Sequence, residues 1–389
     1  MKFSLLGGIW LLSFSVFFAG CASSVSYPTP TSSSEPLPYP MPEYTEAAQR
    51  AEIFAPVKVS YATNRKKAPD GSLLPELNVS GDPLSYGQET VLIPSKREVG
   101  SFKDSHDSAF KILMKFGLVE EQDDPIITLL NAKSITLSEA DFFKQFKSAK
   151  DLKSGDVLLF VHGFNVKFED AVKRAAQVSY DINPDLQPVV FSWPSIGDPL
   201  KYNRDFGRAL DSVDDFEKFM LKLMASTQGK RIHILAHSMG SKVVIPALAK
   251  LYTTHSKLLD KKLGNIILAA PDFPRETFIS KYKAAFSKFG RATIYMSSED
   301  KALKLSSGTY LADREMLGFS GSEGFFSPGI DSVDITRAGG VDDLLGHSKY
   351  GSSARVLVDM HDMIVSNLRA NKRKGFIVEP PYKYFFLQP

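Results

Sequence analysis

Cysteine is almost absent from this chain. A single thiol, Cys21, stands in 389 residues, which excludes an intramolecular disulfide and any cysteine-built metal cluster. Charge of one dominant sign is lacking too: 47 Lys and Arg face 44 Asp and Glu, for a formal net charge of +3. That balance supplies no field to gather nucleic acid or another polyanion, and it fits a solvated surface of mixed sign. There is no H-E-x-x-H, no histidine pair at ligand spacing and no G-x-G-x-x-G after a strand. No metal or nucleotide cofactor is therefore expected. Internal repeats are missing. The apolar run Leu5 to Phe18 is short for a membrane span, and no other run is long enough.

That run has the three regions of a secretory signal peptide: a basic start at Lys2, an apolar middle, and small residues (Ala19, Gly20) before Cys21. Its end resembles a bacterial lipoprotein signal, in which such a cysteine becomes the lipidated N-terminus. The resemblance implies lipid attachment at Cys21. Ala22 after it resembles the outer-membrane sorting pattern of Gram-negative lipoproteins, so the implied location is the cell envelope, lipid-anchored and facing the periplasm. Several acyl chains at ~0.8 kcal/mol per buried methylene would hold such an anchor stably. Residues 1–20 are thus expected to be the signal peptide. Residues 21–55, rich in Ser and Pro ("SSVSYPTPTSSSEPLPYPMP"), read as a semi-extended tether that cannot bury enough surface to fold.

Residues 56–380 carry the pattern of one α/β domain. "VKVSYATNR", "YGQETVLIPS" and "DPIITLLNAK" read as strands, and "SEADFFKQFKSAK" as a short helix opened by Ser138 or Asp141. "DVLLFVHGF" is continuously apolar, as a strand buried on both faces of a parallel sheet must be. Helix "FEDAVKRAAQVSYDI", strand "PVVFSW", helix "DSVDDFEKFMLKLMAS", strand "IHILA", helix "SKVVIPALAKLY" and strand "NIILAAPD" follow. After "PRETFISKYKAAFSKF" come strand "ATIYMSS", a loop-rich segment, strand "GIDSVDIT" and a last helix, "SARVLVDMHDMIVSNLRAN". The alternation predicts a mostly parallel central sheet with helices on both faces. In such sheets ligands bind beyond the carboxyl ends of the strands.

Four strand-end loops carry reactive side chains: "HGFN" (His162–Asn165), "AHSMG" around Ser238, "SSEDKAL" around Asp300, and "GHSKY" around His347. Serine, acid and histidine occur in that chain order. "AHSMG" is similar to the nucleophile elbow G-x-S-x-G of α/β-hydrolases, with Ala236 at the first glycine position. The ordered set "YGQETVLIP", "FVHGFNVKFEDAVKRAAQ", "FSWPS", "ILAHSMGSKV", "ILAAPD", "SSEDKAL" and "GHSKY" resembles the bacterial α/β-hydrolase-like domain-of-unknown-function family 900. The resemblance implies the α/β-hydrolase fold and a hydrolytic site, without naming a substrate.

The chemistry has its own reasons. A serine at a strand-to-helix bend projects above the sheet; it becomes nucleophilic only when a base takes its proton. The base needs an acid to set its tautomer. Ser238 is the expected nucleophile against a bland role as helix N-cap. His347 is the expected base, with His361 and His255 assigned to packing or solvent. Asp300 is the expected acid; Asp272, which ends the preceding strand, is its rival, and Glu299 is a distant third. The backbone N–H groups of Met239 and Phe164 are the expected oxyanion donors, and Gly163 lets the second loop come close. His162 reads as a structural hydrogen-bonder, His237 as a spacer and His233 as a packed strand residue. Trp193 either lines a pocket or fills the core. Residues 306–330 are a lid or a connector, and the aromatic end "PYKYFFLQP" packs on the domain or touches lipid.

Taken together, these residues point to an envelope-anchored serine hydrolase acting on a small-molecule or lipid ester. Acyl transfer to another acceptor would use the same groups. The alternative is a hydrolase-fold lipoprotein that binds or scaffolds envelope components without catalysis. Lipidation is directly testable: mass spectrometry of the mature N-terminus is expected to find acylated Cys21, and Cys21→Ser should release the protein from membranes without altering its chemistry. An unmodified N-terminus cleaved elsewhere would refute the anchor.

Overall fold

A computed structural model describes residues 54–78, 83–94, 97–101, 127–129, 135–147, 155–310, 315–321, 324–340, 346–380 and 383–388. The expected signal peptide, Cys21 and the tether up to residue 53 lie outside the described residues.

The strands are β1 (Phe54–Thr63), β2 (Arg65–Lys67), β3 (Leu73–Leu77), β4 (Ser85–Pro94), β5 (Thr128–Leu129), β6 (Ile135–Leu137) and β7 (Val157–Val161). They continue as β8 (Gln187–Ser192), β9 (Ile232–His237), β10 (Leu263–Ala269), β11 (Ala292–Met296), β12 (Ile330–Asp334), β13 (Phe376–Ile377) and β14 (Phe385–Leu387). The helices are α1 (Glu139–Lys144), α2 (Phe168–Ile182), α3 (Tyr202–Asp211), α4 (Val213–Ser226), α5 (Ser241–Lys262) and α6 (Arg275–Thr277). A π-turn (Phe278–Tyr282) joins α6 to α7 (Lys283–Phe289); then come α8 (Lys301–Tyr310), α9 (Lys349–Ser352) and α10 (Ala354–Val365).

Twelve strands form one sheet in the order β13-β14-β12-β11-β10-β9-β7-β8-β1-β4-β5, with β6 paired to β4. From β14 through β1 the neighbours run parallel. The outer pairs β1–β4, β4–β5, β4–β6 and β13–β14 are antiparallel. This is the mostly parallel α/β-hydrolase sheet, with antiparallel additions at its edges.

Side chains of the central strands alternate between two cores, because successive residues of a strand point to opposite faces. Val157, Leu159 and Val161 of β7 join one core with Ile232, Ile234 and Ala236 of β9, under α4 and α5. Leu158 and Phe160 join the other with Leu235, under α2 and α10. Both faces are therefore covered, which explains the unbroken apolar runs.

The strand order also places the crevice. β8 lies on one side of β7, and the chain then returns to lay β9 on β7's other side. The carboxyl ends of the paired strands β7 and β9 thus stand at a topological switch point, the place where ligands bind in such sheets.

Some elements depart from the sequence expectation. The sheet takes in Phe54 at its start and Phe385–Leu387 near its end, so the domain is wider than 56–380. The aromatic end packs on the domain as β14, where Tyr384 and Leu387 are buried. α3 was not expected, because its stripe of buried residues (Tyr202, Asp205, Ala209) is only partly apolar. α8 replaces an expected loop; its Ser-Ser-Gly sequence hides a helix whose start is capped by the Asp300 carboxylate, which accepts the Leu303 N–H at 2.8 Å. Farther on, Met316, Leu317 and Phe325 are buried, so these described parts of 306–330 pack into the domain.

Buried charge fastens the chain after α10. Arg373 donates to the Asp359 carboxylate at 2.7 Å, with side-chain exposures of 0% and 2%, and Tyr295 of β11 donates to the same oxygen. Arg373→Met should cost about 3–5 kcal/mol in urea unfolding, since it strands a buried carboxylate. Adding Asp359→Asn should recover part of that loss. A single variant as stable as the parent would show that the pair holds nothing together.

Candidate active site

Ser238 follows β9 at a sharp bend. Its φ is +50°, a left-handed conformation that costs a non-glycine residue energy and persists only where surroundings impose it. The cap positions at this bend fall on His237 and Gly240, so Ser238 does not cap the following helix. The bend is fastened through the Ser238 carbonyl, which accepts the Ser241 hydroxyl at 2.6 Å and the Asp272 N–H at 3.2 Å. Gly240 is obligatory: a Cβ there would lie 2.5 Å from the Val161 carbonyl oxygen and 2.6 Å from that of His162. Ala236, at the motif's other small position, is wholly buried in the core. Met239 is buried as well.

The "HGFN" loop after β7 abuts this bend. A Cβ on Gly163 would stand 2.9 Å from the Ser238 Cβ and 3.1 Å from the His237 ring Nδ1. Only glycine admits that approach. His162 donates from Nδ1 to the Gly163 carbonyl at 2.9 Å, accepts the Ser192 hydroxyl at Nε2 (3.3 Å), and stacks on Trp193 at 4.9 Å. Trp193 is fully buried and donates to the His162 carbonyl at 2.7 Å, so it belongs to the core and lines no pocket. Burial, then the Arg65 guanidinium, push the His162 pKa down to about 3. His162 is a neutral structural group.

At the far side, His347 donates from Nδ1 to the Asp300 Oδ2 at 2.7 Å. The Asp300 side chain is 0% exposed and that of His347 16%. One Asp300 oxygen therefore caps α8 while the other meets the histidine. Gly346, at φ +67°, brings the loop in: a Cβ would meet the Glu299 carbonyl oxygen at 3.0 Å. Glu299 itself points elsewhere, 3.4 Å from the Lys349 Nζ.

His237 does more than space the motif. Its Nε2 donates to the His347 carbonyl at 3.2 Å, its ring stands 4.8 Å from that of His347, and Tyr350 packs on it at 4.3 Å. The residue before Ser238 thus braces the histidine loop. Burial, then the neighbouring His347, hold its pKa well below the ordinary imidazole value.

The side chains of the rivals have other partners. Asp272 accepts the Tyr202 hydroxyl at 2.7 Å and the Ser306 hydroxyl at 3.3 Å, and lies 3.5 Å from the buried Lys242 ammonium. Its carboxylate serves packing on α3, α5 and α8. His361 bonds to the Ile182 carbonyl at 2.7 Å, and His233 bonds to Asp156 at 3.2 Å on β9. His255 bonds to the neighbouring Thr254 hydroxyl at a kink in α5. Among the described residues no cluster of three or more His, Cys, Asp or Glu could hold a metal, and no helix is long and apolar enough to cross a membrane. Sequence reasoning missed Arg65, Ser195 and Asp205, which carry the "HGFN" loop from beneath. Ser195 lay in the "FSWPS" motif; Arg65 and Asp205 carried no signal beyond being charged.

Comparison with known proteins places this geometry. Residues 138–366 match the family described as alpha/beta hydrolase of unknown function (DUF900). No curated protein matches the chain. Among solved structures it is similar to an esterase of Pyrobaculum calidifontis in its monoclinic form, at 12% identity and TM-score 0.30, covering 55% of this chain and 77% of that one. A hyperthermophilic esterase from the same archaeon gives 11% identity and TM-score 0.30, over 55% and 78%.

The neutral buried histidines have a pH consequence. An unfolded chain protonates both imidazoles below roughly pH 6.5, whereas the fold keeps His162 and His237 unprotonated to much lower pH. Stability should therefore fall as pH drops below about 6.5, by about 1.4 kcal/mol per pH unit for His162 until about pH 3, with His237 acting in the same direction. Urea unfolding at pH 7, 6 and 5 tests the sign. His162→Gln should be less stable at pH 7 yet lose stability more gently on acidification, and an unchanged slope would disprove the account.

Proposed function

The chain belongs to the α/β hydrolases of unknown function (DUF900), and from that premise we propose that it is a serine hydrolase acting on carboxylic esters through an acyl-enzyme. The observation that carries the reading is a strained serine whose neighbour His237 packs on and bonds to the loop of an Asp300–His347 pair bonded at 2.7 Å. In this reading Ser238 Oγ attacks the ester carbonyl while His347 Nε2 takes its proton. Asp300 keeps the other ring proton on Nδ1 and stabilises the imidazolium. The amides of Met239 and Phe164 receive the oxyanion, each donor contributing about 3 kcal/mol to the transition state. Collapse expels the alcohol, protonated by His347; water then repeats the sequence and frees the acid. Lipidation of Cys21 would hold this chemistry at the cell envelope, where small-molecule or lipid esters are the substrates.

A fluorophosphonate probe tests the assignment. Wild-type protein should be labelled on Ser238, and Ser238→Ala should fold but remain unlabelled. Asp300→Asn should slow ester turnover by as much as ~10⁴-fold, because the amide favours the wrong imidazole tautomer. Asp272→Asn should act mainly on stability. A natively folded wild type that never reacts would transfer the reading to a binding or scaffolding protein, and activity lost with Asp272→Asn but kept with Asp300→Asn would move the acid.

A further inference from the structure

Beneath the "HGFN" loop lies a buried polar assembly outside the proposed machinery. Asp205 of α3 is 0% exposed, yet three donors converge on its carboxylate. They are the Asn165 N–H at 3.3 Å, the Ser195 hydroxyl at 2.5 Å and the Ile196 N–H at 2.9 Å. The Ser195 hydroxyl oxygen accepts the Val166 N–H at 2.9 Å. From the other side Arg65, also buried, donates to the Ser195 carbonyl at 2.9 Å and the Val166 carbonyl at 3.1 Å. The amides immediately after Phe164 are thus both consumed from below.

This is an expensive way to fold a loop. Burial raises the Asp205 carboxyl above its ordinary range, and the three hydrogen bonds oppose that rise. A neutral acceptor could take one or two of these donors, but only a carboxylate presents two full oxygens to all three. What the assembly holds is a turn with Asn165 at φ +58°, a left-handed residue directly following Phe164. The Phe164 N–H lies in the Gly163–Phe164 peptide, whose carbonyl accepts His162 Nδ1 at 2.9 Å, and the next peptide plane, whose Asn165 N–H Asp205 accepts at 3.3 Å, limits how far that first plane can turn. The loop's other end is fixed by the contact of Gly163 with Ser238. Between two fixed ends, the Phe164 N–H has little freedom.

We propose that Asp205 and Ser195 are positioning residues for the oxyanion donor, holding the Asn165 turn so that the Phe164 N–H faces the reacting carbonyl at Ser238. The inference rests on the serine-hydrolase reading above. Neither residue touches substrate; each acts through the loop backbone. Preorganised donors are effective because they need not reorient as charge develops, so a loosened turn should weaken transition-state binding and leave ground-state binding alone.

Asp205→Asn and Ser195→Ala are the variants, with circular dichroism and melting temperature as controls for folding. The readouts are kcat and KM on a p-nitrophenyl ester and the inhibition constant of a trifluoromethyl ketone, whose serine adduct carries the same oxyanion. Each variant should lower kcat ~10²-fold, the scale of one lost oxyanion donor, with KM within about twofold. Ketone affinity should fall in parallel with kcat. If Asp205→Asn fails to fold, Ser195→Ala carries the test alone. Folded variants with unchanged kcat and ketone affinity would overturn the inference, as would a loss of kcat without loss of ketone affinity. Wild-type protein inert to ester, ketone and fluorophosphonate alike would instead defeat the serine-hydrolase reading itself.

Discussion

The close approach of two strand ends is the constraint on which the rest of the site depends. Gly163 after β7 and Gly240 after β9 allow the two loops to touch, with spaces too small for a single added carbon. Because they touch, the Ser238 bend must adopt a left-handed backbone, and the strain is borne by bonds to its carbonyl from Ser241 and Asp272. The sheet's winding direction changes at the same place, where ligands of such sheets bind.

Buried polar groups do the fastening around this contact, and each has its partners. His162, Trp193 and Ser192 bind the floor of the "HGFN" loop, while Asp205, Ser195 and Arg65 bind its exit. His237 ties the serine strand to the backbone of the histidine loop. Such networks are costly when half-satisfied and rigid when complete. Rigidity here is placed where an oxyanion hole would need it.

Two aspartates at adjacent strand ends differ in what their carboxylates meet. Asp272 and Asp300 are both buried, and both follow central strands. Asp300 spends one oxygen on the start of α8 and turns the other to His347. The Asp272 carboxylate is engaged by Tyr202, Ser306 and Lys242. The partners, rather than the residue type or its place after a strand, decide the role open to each.

Local pattern was enough for the central sheet. Strands β7 to β11 are largely apolar runs bounded by turns, and burial on both faces leaves no other reading of "VLLFV" or "IHILA". The elbow was legible for the same reason: a serine with a glycine two places on, between a strand and a helix, has few alternatives. α3 and α8 were not legible, since Asp205 is a charged residue on a buried stripe and α8 owes its start to a carboxylate cap within a polar sequence. Nor could sequence reveal that Asp300 bonds to His347 while Asp272 meets Tyr202 and Ser306, or that Arg65, Ser195 and Asp205 meet under one loop. Those are pairings between residues far apart in the chain, and only a folded sheet, by fixing which strand ends are neighbours, brings their side chains within hydrogen-bonding distance.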